Sequence, residues 1–290
     1  MNATQTSPNE QAALWNGRAG RAWIDGQATL DRMFIRFEDL LADTVRATSA
    51  RRVLDVGCGT GSTTLAAVRA AGAQGNCLGV DISEPMVAVA RTRAAQQGAT
   101  ARFIAADVQT HAFEPASFDL VISRFGVMFF GDPVAAFANL RRAASANARL
   151  QVIAWRSAAE NPYMTAAERA AAPLLPNLPV RQPGAPGQFA FADRDRVASI
   201  LQESGWGEID IQPIDVACTY PEKDLVGYFT RLGAVGQVLE DMDEATRRRV
   251  IGTVRAAFDP FVHGDEVRFT AACWMIAATA TPPPCPASAP

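Results

Sequence analysis

The chain has 290 residues, of which 49% are hydrophobic, and its formal net charge is −3. Because this balance provides no overall basic field, a nucleic-acid partner is not expected. The five cysteines show no CxxC spacing, which predicts neither a disulfide framework nor a metal site, and a polar start without a long apolar run predicts a cytoplasmic protein with no membrane segment.

The N-terminal segment, residues 1–45, is predicted to be a helical cap that follows a disordered start over residues 1–9. Its aromatic residues stand in a polar, glycine-punctuated pattern. One interpretation is a pair of helices that bury Trp15 and Trp23 against the core. The other is that the WNGRAG stretch closes over a ligand with these tryptophans, as a lid. The two interpretations are compatible.

Residues 46–159 begin with a strand, a glycine turn and a helix. Val53, Leu54 and Val56 form a short apolar run that ends at the sequence GCGTG, residues 57–61. Glycines are needed in such a turn because its backbone adopts angles that side chains resist, and because a ligand approaches it closely. A buried strand, a glycine turn and a helix N-terminus together predict a site for a nucleotide-like ligand.

The same unit of strand and helix then recurs, and a polar residue follows each strand. Asp81 follows the second predicted strand, Asp107 the third and Arg124 the fourth, while the fifth covers residues 149–155. Strands that alternate with helices at this spacing predict a parallel sheet covered on both faces.

The remaining third of the chain is predicted to add a lid and to complete the domain. Residues 160–200 are proline-rich and are predicted to be an insertion, because long irregular segments of this kind are usually functional. Residues 201–280 are predicted to hold an antiparallel strand over 208–220, three helices and a last strand, 267–278, at the sheet edge. Residues 281–290 are a predicted disordered tail.

Two kinds of nucleotide ligand compete for the glycine turn. A dinucleotide-binding turn has the pattern GxGxxG, but Ser62 stands at the position of the third glycine, and Asp55 occupies a place that such strands usually keep apolar. Asp81 can accept hydrogen bonds from the ribose hydroxyls of either ligand. A Walker phosphate loop is excluded because the turn has no Gly-Lys-Ser/Thr.

Taken together, the stretches LDVGCGTGS, GVDIS, AADVQ and FDLVISRFGVMFF resemble the successive motifs of class I S-adenosylmethionine-dependent methyltransferases, over about residues 51–155. The segments WNGRAG–RAW–DGQ and SRFGVMFF–DP are similar to bacterial small-molecule methyltransferases related to the ubiquinone/menaquinone C-methyltransferases. The resemblance implies an α/β fold: a Rossmann-like, doubly wound, seven-stranded and mostly parallel sheet with a helical N-terminal cap and an inserted lid. The chain departs from the family at AASANARL, where relatives commonly read L-x-P-G-G.

The resemblance also implies S-adenosylmethionine as cofactor and S-adenosylhomocysteine as product. The residues implied to contact the cofactor are Asp55, Gly57, Gly59, Gly61, Asp81, Ile82, Met86, Asp107, Val108, Ser123 and Arg124. The glycines would line its methionine portion, with Asp55 near the ammonium group, and Asp81 would accept hydrogen bonds from the ribose.

At the other end of the cofactor, Ile82 and Met86 would pack on the faces of the adenine, although a methionine at helical spacing is also typical of a core. Asp107 and the backbone amide of Val108 would meet the polar edge of the adenine. The end of the fourth strand, residues 123–124, would face the sulfur that carries the methyl group.

The implied reaction is an in-line displacement of a methyl group from a sulfonium, which depends on alignment and exclusion of water more than on a catalytic dyad. Candidates for a catalytic role are His111 and Arg124, since an oxygen acceptor would gain from a general base. His111 is interpreted first as a structural or adenine-edge residue and His263 as solvated. Arg124 either binds an acidic group of the substrate or forms a salt bridge within the lid.

The predicted acceptor is a small, largely apolar molecule that is methylated on oxygen or carbon. The residues predicted to line its pocket are Trp15, Trp23, Met128, Phe129 and Tyr163. The sequence Asn-Pro-Tyr at 161–163 resembles the N-P-P-Y motif of amino-directed DNA and protein methyltransferases, but it follows the fifth strand instead of the fourth and is discounted.

Two alternative functions stay open. One is a nicotinamide-dependent oxidoreductase, which Ser62 and Asp55 disfavour. The other is a cofactor-binding protein that has lost catalysis and acts as a regulator or partner subunit, because this fold needs no diagnostic catalytic side chain. The sequence leaves the oligomeric state, monomer or homodimer, undecided.

Overall fold

The computed structural model describes residues 8–179, 181–182 and 184–281. The disorder predicted for residues 1–9 and 281–290 therefore lies outside the described residues, except at 8–9 and 281. Within that first segment, a helix already begins at Pro8. No helix among the described residues is both long and apolar enough to cross a bilayer.

The N-terminal cap consists of four short helices, where the sequence pattern predicted two. The helices are α1 (Pro8–Asn16), α2 (Arg18–Asp25), α3 (Gln27–Met33) and α4 (Ile35–Thr48). The extra breaks arise because the backbone leaves the helical conformation between them, at Gly17 with φ −98° and ψ −140° and again at Phe34 with ψ 13°. The fourth helix is amphipathic and buries Phe37, Leu41 and Val45 completely.

The central part alternates strands and helices as predicted. Its elements are β1 (Arg52–Val56), α5 (Ser62–Ala71), β2 (Asn76–Asp81), α6 (Glu84–Gln96), β3 (Arg102–Ala105), β4 (Phe118–Arg124), α7 (Pro133–Ala143) and β5 (Ala144–Trp155). Local chemistry starts two of the helices. The Ser83 hydroxyl accepts a hydrogen bond from the Met86 amide at 3.4 Å, and Asp132 accepts one from the Ala135 amide at 2.9 Å, each followed by a proline.

The C-terminal part adds helices and three antiparallel strands. Its elements are α8 (Pro162–Ala171), α9 (Arg194–Glu203), β6 (Gly207–Pro221), α10 (Leu225–Arg231), α11 (Gly233–Leu239), α12 (Glu244–Ala257), β7 (Val262–His263) and β8 (Glu266–Thr279). One of the three helices predicted from the sequence in this part covers about residues 223–236. The structure breaks it at Leu232, whose extended backbone (ψ 152°) precedes Gly233 at φ +72°.

The strand order is β3-β2-β1-β4-β5-β8-β6, and the two-residue β7 pairs with β8. The pairs among β1 to β5 are parallel, and those of β8 with β5 and β6 are antiparallel. The mostly parallel sheet is thereby confirmed, with seven strands along the main order and the short β7 as an eighth. The prediction that the last strand forms the sheet edge is wrong, because β8 lies between β5 and β6. Its central residues Ala271, Ala272 and Cys273 are buried, as suits an interior strand.

The strand order reverses direction at β1, whose neighbours are β2 on one side and β4 on the other. In sheets of this kind the connections leave on opposite faces at such a point, and a crevice opens beyond the carboxyl ends of the strands. The turns that follow β1, β2 and β4 therefore share one edge of the sheet, and the candidate site lies there.

Candidate active site

A cavity of about 720 Å³ opens beyond the carboxyl ends of β1, β2 and β4. The turns after these strands form one side of it. The opposite side consists of the cap helices, α8, the segment around residues 184–190, the helices α10 and α11, and Phe258 just after α12. Its volume falls within the range typical of sites for small molecules and cofactors.

The glycine turn after β1 is closely packed against the turn after β4. Gly57 has φ +68°, and a Cβ atom added to it would lie 2.6 Å from the Cα atom of Gly126. The amide of Gly57 donates to the carbonyl of Val80 at 2.8 Å, which ties the turn to β2. No side chain fits at residue 57, so the two turns meet through backbone alone.

Asp81, at the end of β2, is hydrogen-bonded to the glycine turn. One carboxylate oxygen accepts from the amide of Gly59 at 2.8 Å, and the other accepts from the amide of Ser83 at 2.9 Å. Burial raises the pKa of this carboxyl, and the two amide hydrogen bonds oppose that rise. Since each oxygen can accept a second hydrogen bond, Asp81 can still bind a ligand hydroxyl in the cavity.

Ile82, Met86, Asp107 and Val108 also line the cavity. The Asp107 carboxylate accepts hydrogen bonds from the amide of Gln109 at 2.9 Å and from its side-chain amide at 3.0 and 3.1 Å. Sequence reasoning did not single out Gln109, although it stands two residues after Asp107 in the AADVQ stretch and lines the cavity as well.

Three residues predicted to contact the cofactor lie beneath the cavity wall. A Cβ atom on Gly61 would come within 2.9 Å of the Ala90 Cβ, so this glycine allows the turn before α5 to pack against α6. The Ser123 hydroxyl donates to the Val56 carbonyl at 2.7 Å and braces the glycine turn. Asp55 accepts from the Thr64 hydroxyl at 2.6 Å, and burial raises its pKa to about 7.

The histidine candidate for catalysis stands apart from the cavity. The ring of His111 packs edge-on against Phe113, with centroids 4.6 Å apart, and its carbonyl accepts from the Asn139 side chain at 2.8 Å. The interpretation of His111 as a structural or adenine-edge residue stays a prediction. His263 is exposed in β7.

Arg124, the other candidate, lines the cavity at the end of β4. Its Nη2 donates to the Ser62 hydroxyl at 2.9 Å, and its guanidinium carbon lies 5.8 Å from the centre of the Phe34 ring. Its Nη1 is buried and has no hydrogen-bond partner among the described residues.

The N-terminal cap covers the side of the cavity that the glycine turn and Asp81 form, which we call the cofactor side. Trp15 and Trp23 both line the cavity. Their rings pack edge to face against each other, with centroids 6.1 Å apart. The cap is anchored to the start of α6, because the Ser83 hydroxyl donates to the Trp15 carbonyl at 2.7 Å and the Asn16 side chain donates to the Ile82 carbonyl at 3.1 Å. The tryptophans are therefore both packed and in contact with the cavity.

The far side of the cavity is largely aromatic. Met128, Phe129 and Tyr163, predicted from the sequence, line it together with a group of residues that sequence reasoning missed: Phe189, Tyr228, Phe229 and Phe258. The Tyr163 ring stacks on Phe269 at 3.8 Å, and its hydroxyl is hydrogen-bonded to that of Tyr220. The missed residues come from α10, from the 184–190 segment and from the position just after α12, and none of these carries a motif.

Comparisons with known proteins find similar methyltransferases. A methyltransferase domain model matches residues 53–147. Over 133 residues the chain is 32% identical to the aklanonic acid methyltransferase of Streptomyces sp. strain C5, covering 44% of this chain and 60% of that protein, which is less than two thirds of its length. It is 25% identical to the demethylmenaquinone methyltransferase of Renibacterium salmoninarum, over 72% of this chain and 88% of that protein.

A solved structure shares the fold across most of the chain. The YcgJ protein from Bacillus subtilis superposes with a TM-score of 0.54, covering 85% of this chain and 98% of its own, at 18% identity.

Proposed function

Because the chain belongs to the class I S-adenosylmethionine-dependent methyltransferases, we propose that it transfers a methyl group by in-line displacement to an oxygen or carbon atom of a small, largely apolar acceptor. The observation that carries this proposal is one continuous cavity with two unlike sides. The glycine turn and Asp81 form one side, and aromatic side chains form the other.

The cofactor side fits S-adenosylmethionine, which supplies the methyl group on an already activated sulfonium. Gly57 and Gly59 present bare backbone to the cavity, and a Cβ atom on Gly59 would meet only the Trp23 indole nitrogen, at 3.7 Å. Asp81 is positioned to accept hydrogen bonds from ribose hydroxyls. Ile82 and Asp107 would contact the adenine.

The acceptor side favours an apolar molecule that is easily deprotonated. Tyr163, Tyr228 and Phe258 offer apolar faces, and neither histidine lines the cavity. The carboxylates on its wall already have partners, because Glu168 forms an ion pair with Arg181 at 2.6 Å and Asp81 holds backbone amides. An acceptor that ionises readily, such as a phenol or a carbon acid between two carbonyl groups, needs the least help from a base.

The names of the similar proteins support a small-molecule acceptor, since one is an aklanonic acid methyltransferase and the other a demethylmenaquinone methyltransferase. The chain's own contribution would be to align that acceptor and to exclude water. Trp15 and Trp23 close the cavity from the cap side. Exclusion of water prevents hydrolysis of the cofactor and strengthens the polar contacts that align the two reactants.

The test is a calorimetric titration of the purified chain with S-adenosylmethionine, S-adenosylhomocysteine and NAD. We expect both sulfur compounds to bind and NAD to bind much more weakly. Tighter binding of NAD would overturn the proposal in favour of an oxidoreductase. Transfer of labelled methyl groups is then assayed with a panel of naphthols, hydroquinones and 1,3-diketones. A chain that binds the cofactor but methylates none of these would contradict the proposed acceptor class.

A further inference from the structure

The three tyrosines of the chain come together beside the cavity. The ring centroids of Tyr163, Tyr220 and Tyr228 lie 5.8 to 6.4 Å apart. Phenylalanine, of which the chain has 15, would fill the same volume, but a buried tyrosine hydroxyl needs a hydrogen-bond partner. The cluster therefore brings three hydroxyl donors into a largely apolar wall.

The three hydroxyls form a chain in which Tyr163 is the middle member. Its hydroxyl is hydrogen-bonded to that of Tyr220. Burial raises the pKa of all three hydroxyls, and a hydrogen bond between Tyr163 and Tyr228 contributes to the shifts of these two. Among the described residues, the Tyr220 hydroxyl has no other partner. The Tyr228 hydroxyl has one, because it lies 3.9 Å from the sulfur of Met164.

The direction of this chain follows from its protons. Three hydroxyls carry three protons, and the two contacts between them use only two. If Tyr220 kept the third proton, that proton would find no acceptor among the described residues, and a buried donor without an acceptor is costly. The arrangement that avoids this cost runs from Tyr220 through Tyr163 to Tyr228. The last donor is then the Tyr228 hydroxyl, whose protein partner is a thioether sulfur, a weak acceptor.

The same chain of hydroxyls runs from the interior of the protein to the cavity wall. Of the three tyrosines, which all belong to the described part of the chain, Tyr163 and Tyr228 line the cavity and Tyr220 does not. Tyr220 is buried, whereas Tyr228 and Met164 are half-buried and both line the cavity. The weak contact that ends the chain therefore lies at the wall, where a ligand oxygen can take the place of the sulfur.

The charged residues that act on Tyr228 bind each other. Both carboxylate oxygens of Glu168 accept from Arg181, at 2.6 and 2.9 Å, and Arg181 also donates to the side-chain oxygen of Gln188 at 3.3 Å. With its pKa raised by burial, the Tyr228 hydroxyl stays protonated and is a donor instead of a base. A neutral donor among aromatic rings suits a ligand oxygen that only accepts, such as a carbonyl oxygen.

We propose that the Tyr228 hydroxyl donates a hydrogen bond to a carbonyl oxygen of the methyl acceptor and thereby selects acceptors that carry one. The inference rests on the proposed function and favours carbon acids over phenols among the acceptors named there. A carbonyl compound that loses a proton from the neighbouring carbon carries its negative charge on the oxygen. A hydrogen bond to that oxygen favours the ionised form, in a cavity that neither histidine lines.

The test uses 1-tetralone, a bicyclic ketone, and tetralin, the hydrocarbon with the same rings. Each is titrated by calorimetry into the wild-type chain and into Tyr228→Phe, with and without S-adenosylhomocysteine. We expect the wild type to bind the ketone more tightly than the hydrocarbon, and Tyr228→Phe to weaken the ketone about 3- to 10-fold. The affinity for tetralin should change by less than about twofold, because the aromatic ring remains.

The matched control is Tyr220→Phe, which removes one hydroxyl from the interior end of the same chain. Because Tyr228 keeps its proton in this variant, the preference for the ketone should remain. Circular dichroism and denaturant titration verify that both variants fold. The proposal is overturned if the wild type shows no preference for the ketone, if folded Tyr228→Phe keeps that preference, or if Tyr220→Phe loses it to the same extent.

The proposed function and the role of Tyr228 fail in different ways. A chain that binds neither S-adenosylmethionine nor S-adenosylhomocysteine would refute the proposed function, and the titrations without cofactor would still test Tyr228. A chain that binds S-adenosylhomocysteine but does not distinguish the ketone from the hydrocarbon would refute the role of Tyr228 and leave the proposed function intact.

Discussion

The two sides of the cavity are built in different ways. The cofactor side comes from one stretch of chain, in which the turns after β1, β2 and β4 meet at the carboxyl edge of the sheet. At Gly57 and Gly126 backbone packs directly on backbone, because a Cβ atom added to Gly57 would lie 2.6 Å from the Gly126 Cα atom. The acceptor side brings together aromatic side chains from α8, from the 184–190 segment, from α10 and from Phe258 after α12, which are far apart in the sequence.

This difference explains why one side carries a recognisable motif and the other does not. A backbone turn with positive φ and no space for a Cβ atom admits glycine and little else, so the constraint is visible in the residue types. An aromatic wall needs only volume and apolar surface, and many combinations of residues provide these. The acceptor side can therefore change without leaving a pattern.

If close backbone approach is what the cofactor side requires, then Gly57→Ala should have a larger effect than Gly98→Ala. Both residues have positive φ, which costs an alanine about 1–2 kcal/mol, but only Gly57 has atoms within 4 Å of the added Cβ. We expect Gly57→Ala to lower the free energy of unfolding by about 2–5 kcal/mol and to abolish binding of S-adenosylhomocysteine. Denaturant titration and calorimetry check this, and equal losses in the two variants would contradict it.

The cofactor side also holds a buried carboxyl, Asp55, whose pKa is raised from 3.8 to about 7 by burial. Between these values the unfolded chain has released the proton and the folded chain has kept it, so stability falls as pH rises from about 4 to 7. Asp55→Asn should remove this dependence and be more stable than the wild type at pH 8, by at most about 4 kcal/mol. Unfolding curves at several pH values measure the difference, and parallel curves for the two proteins would refute the prediction.

A third test compares Asp81, which lines the cavity, with Asp119, which lies at the other end of the parallel strands. Asp81 holds the amides of Gly59 and Ser83, while Asp119 on β4 accepts from the amide of Arg52 at 2.9 Å. We expect Asp81→Ala to weaken S-adenosylhomocysteine by about 1–3 kcal/mol, or roughly 5- to 150-fold, and Asp119→Ala to leave its affinity unchanged. Calorimetry measures the two affinities. A comparable loss of affinity in both variants would indicate a general loss of structure and contradict the prediction.

On the acceptor side, single polar contacts should matter least. Tyr163→Phe keeps the ring on Phe269 and removes the hydrogen bond to Tyr220. We expect a loss of about 0.5–1.5 kcal/mol in unfolding free energy and no change in affinity for S-adenosylhomocysteine. Tyr220→Phe removes the same bond, so the double variant should lose little more than either single one. Additive losses, or weaker cofactor binding, would show that the two sides are coupled.

Much of the parallel sheet and of the cofactor side follows from local patterns. The apolar run of β1, the glycine turn and the acids after β2 and β3 are short-range features, and the predicted strands match the observed ones closely. The position of β8 does not follow in this way. Its residues read as a strand, but whether a strand lies at the edge or between two others depends on its pairing partners.

By itself, the sequence determined the strand–turn–helix unit, Asp81 and the tryptophans of the cap, because backbone angles, caps and apolar periodicity act over a few residues. Only the tertiary structure decided that Asp55 and Ser123 lie beneath the cavity wall, that Tyr228 and Phe258 face the cavity, and that Arg124 Nη1 has no hydrogen-bond partner among the described residues. These outcomes depend on how segments that are distant in the sequence pack together and on which charged residues pair with each other. No local pattern of residues contains that information.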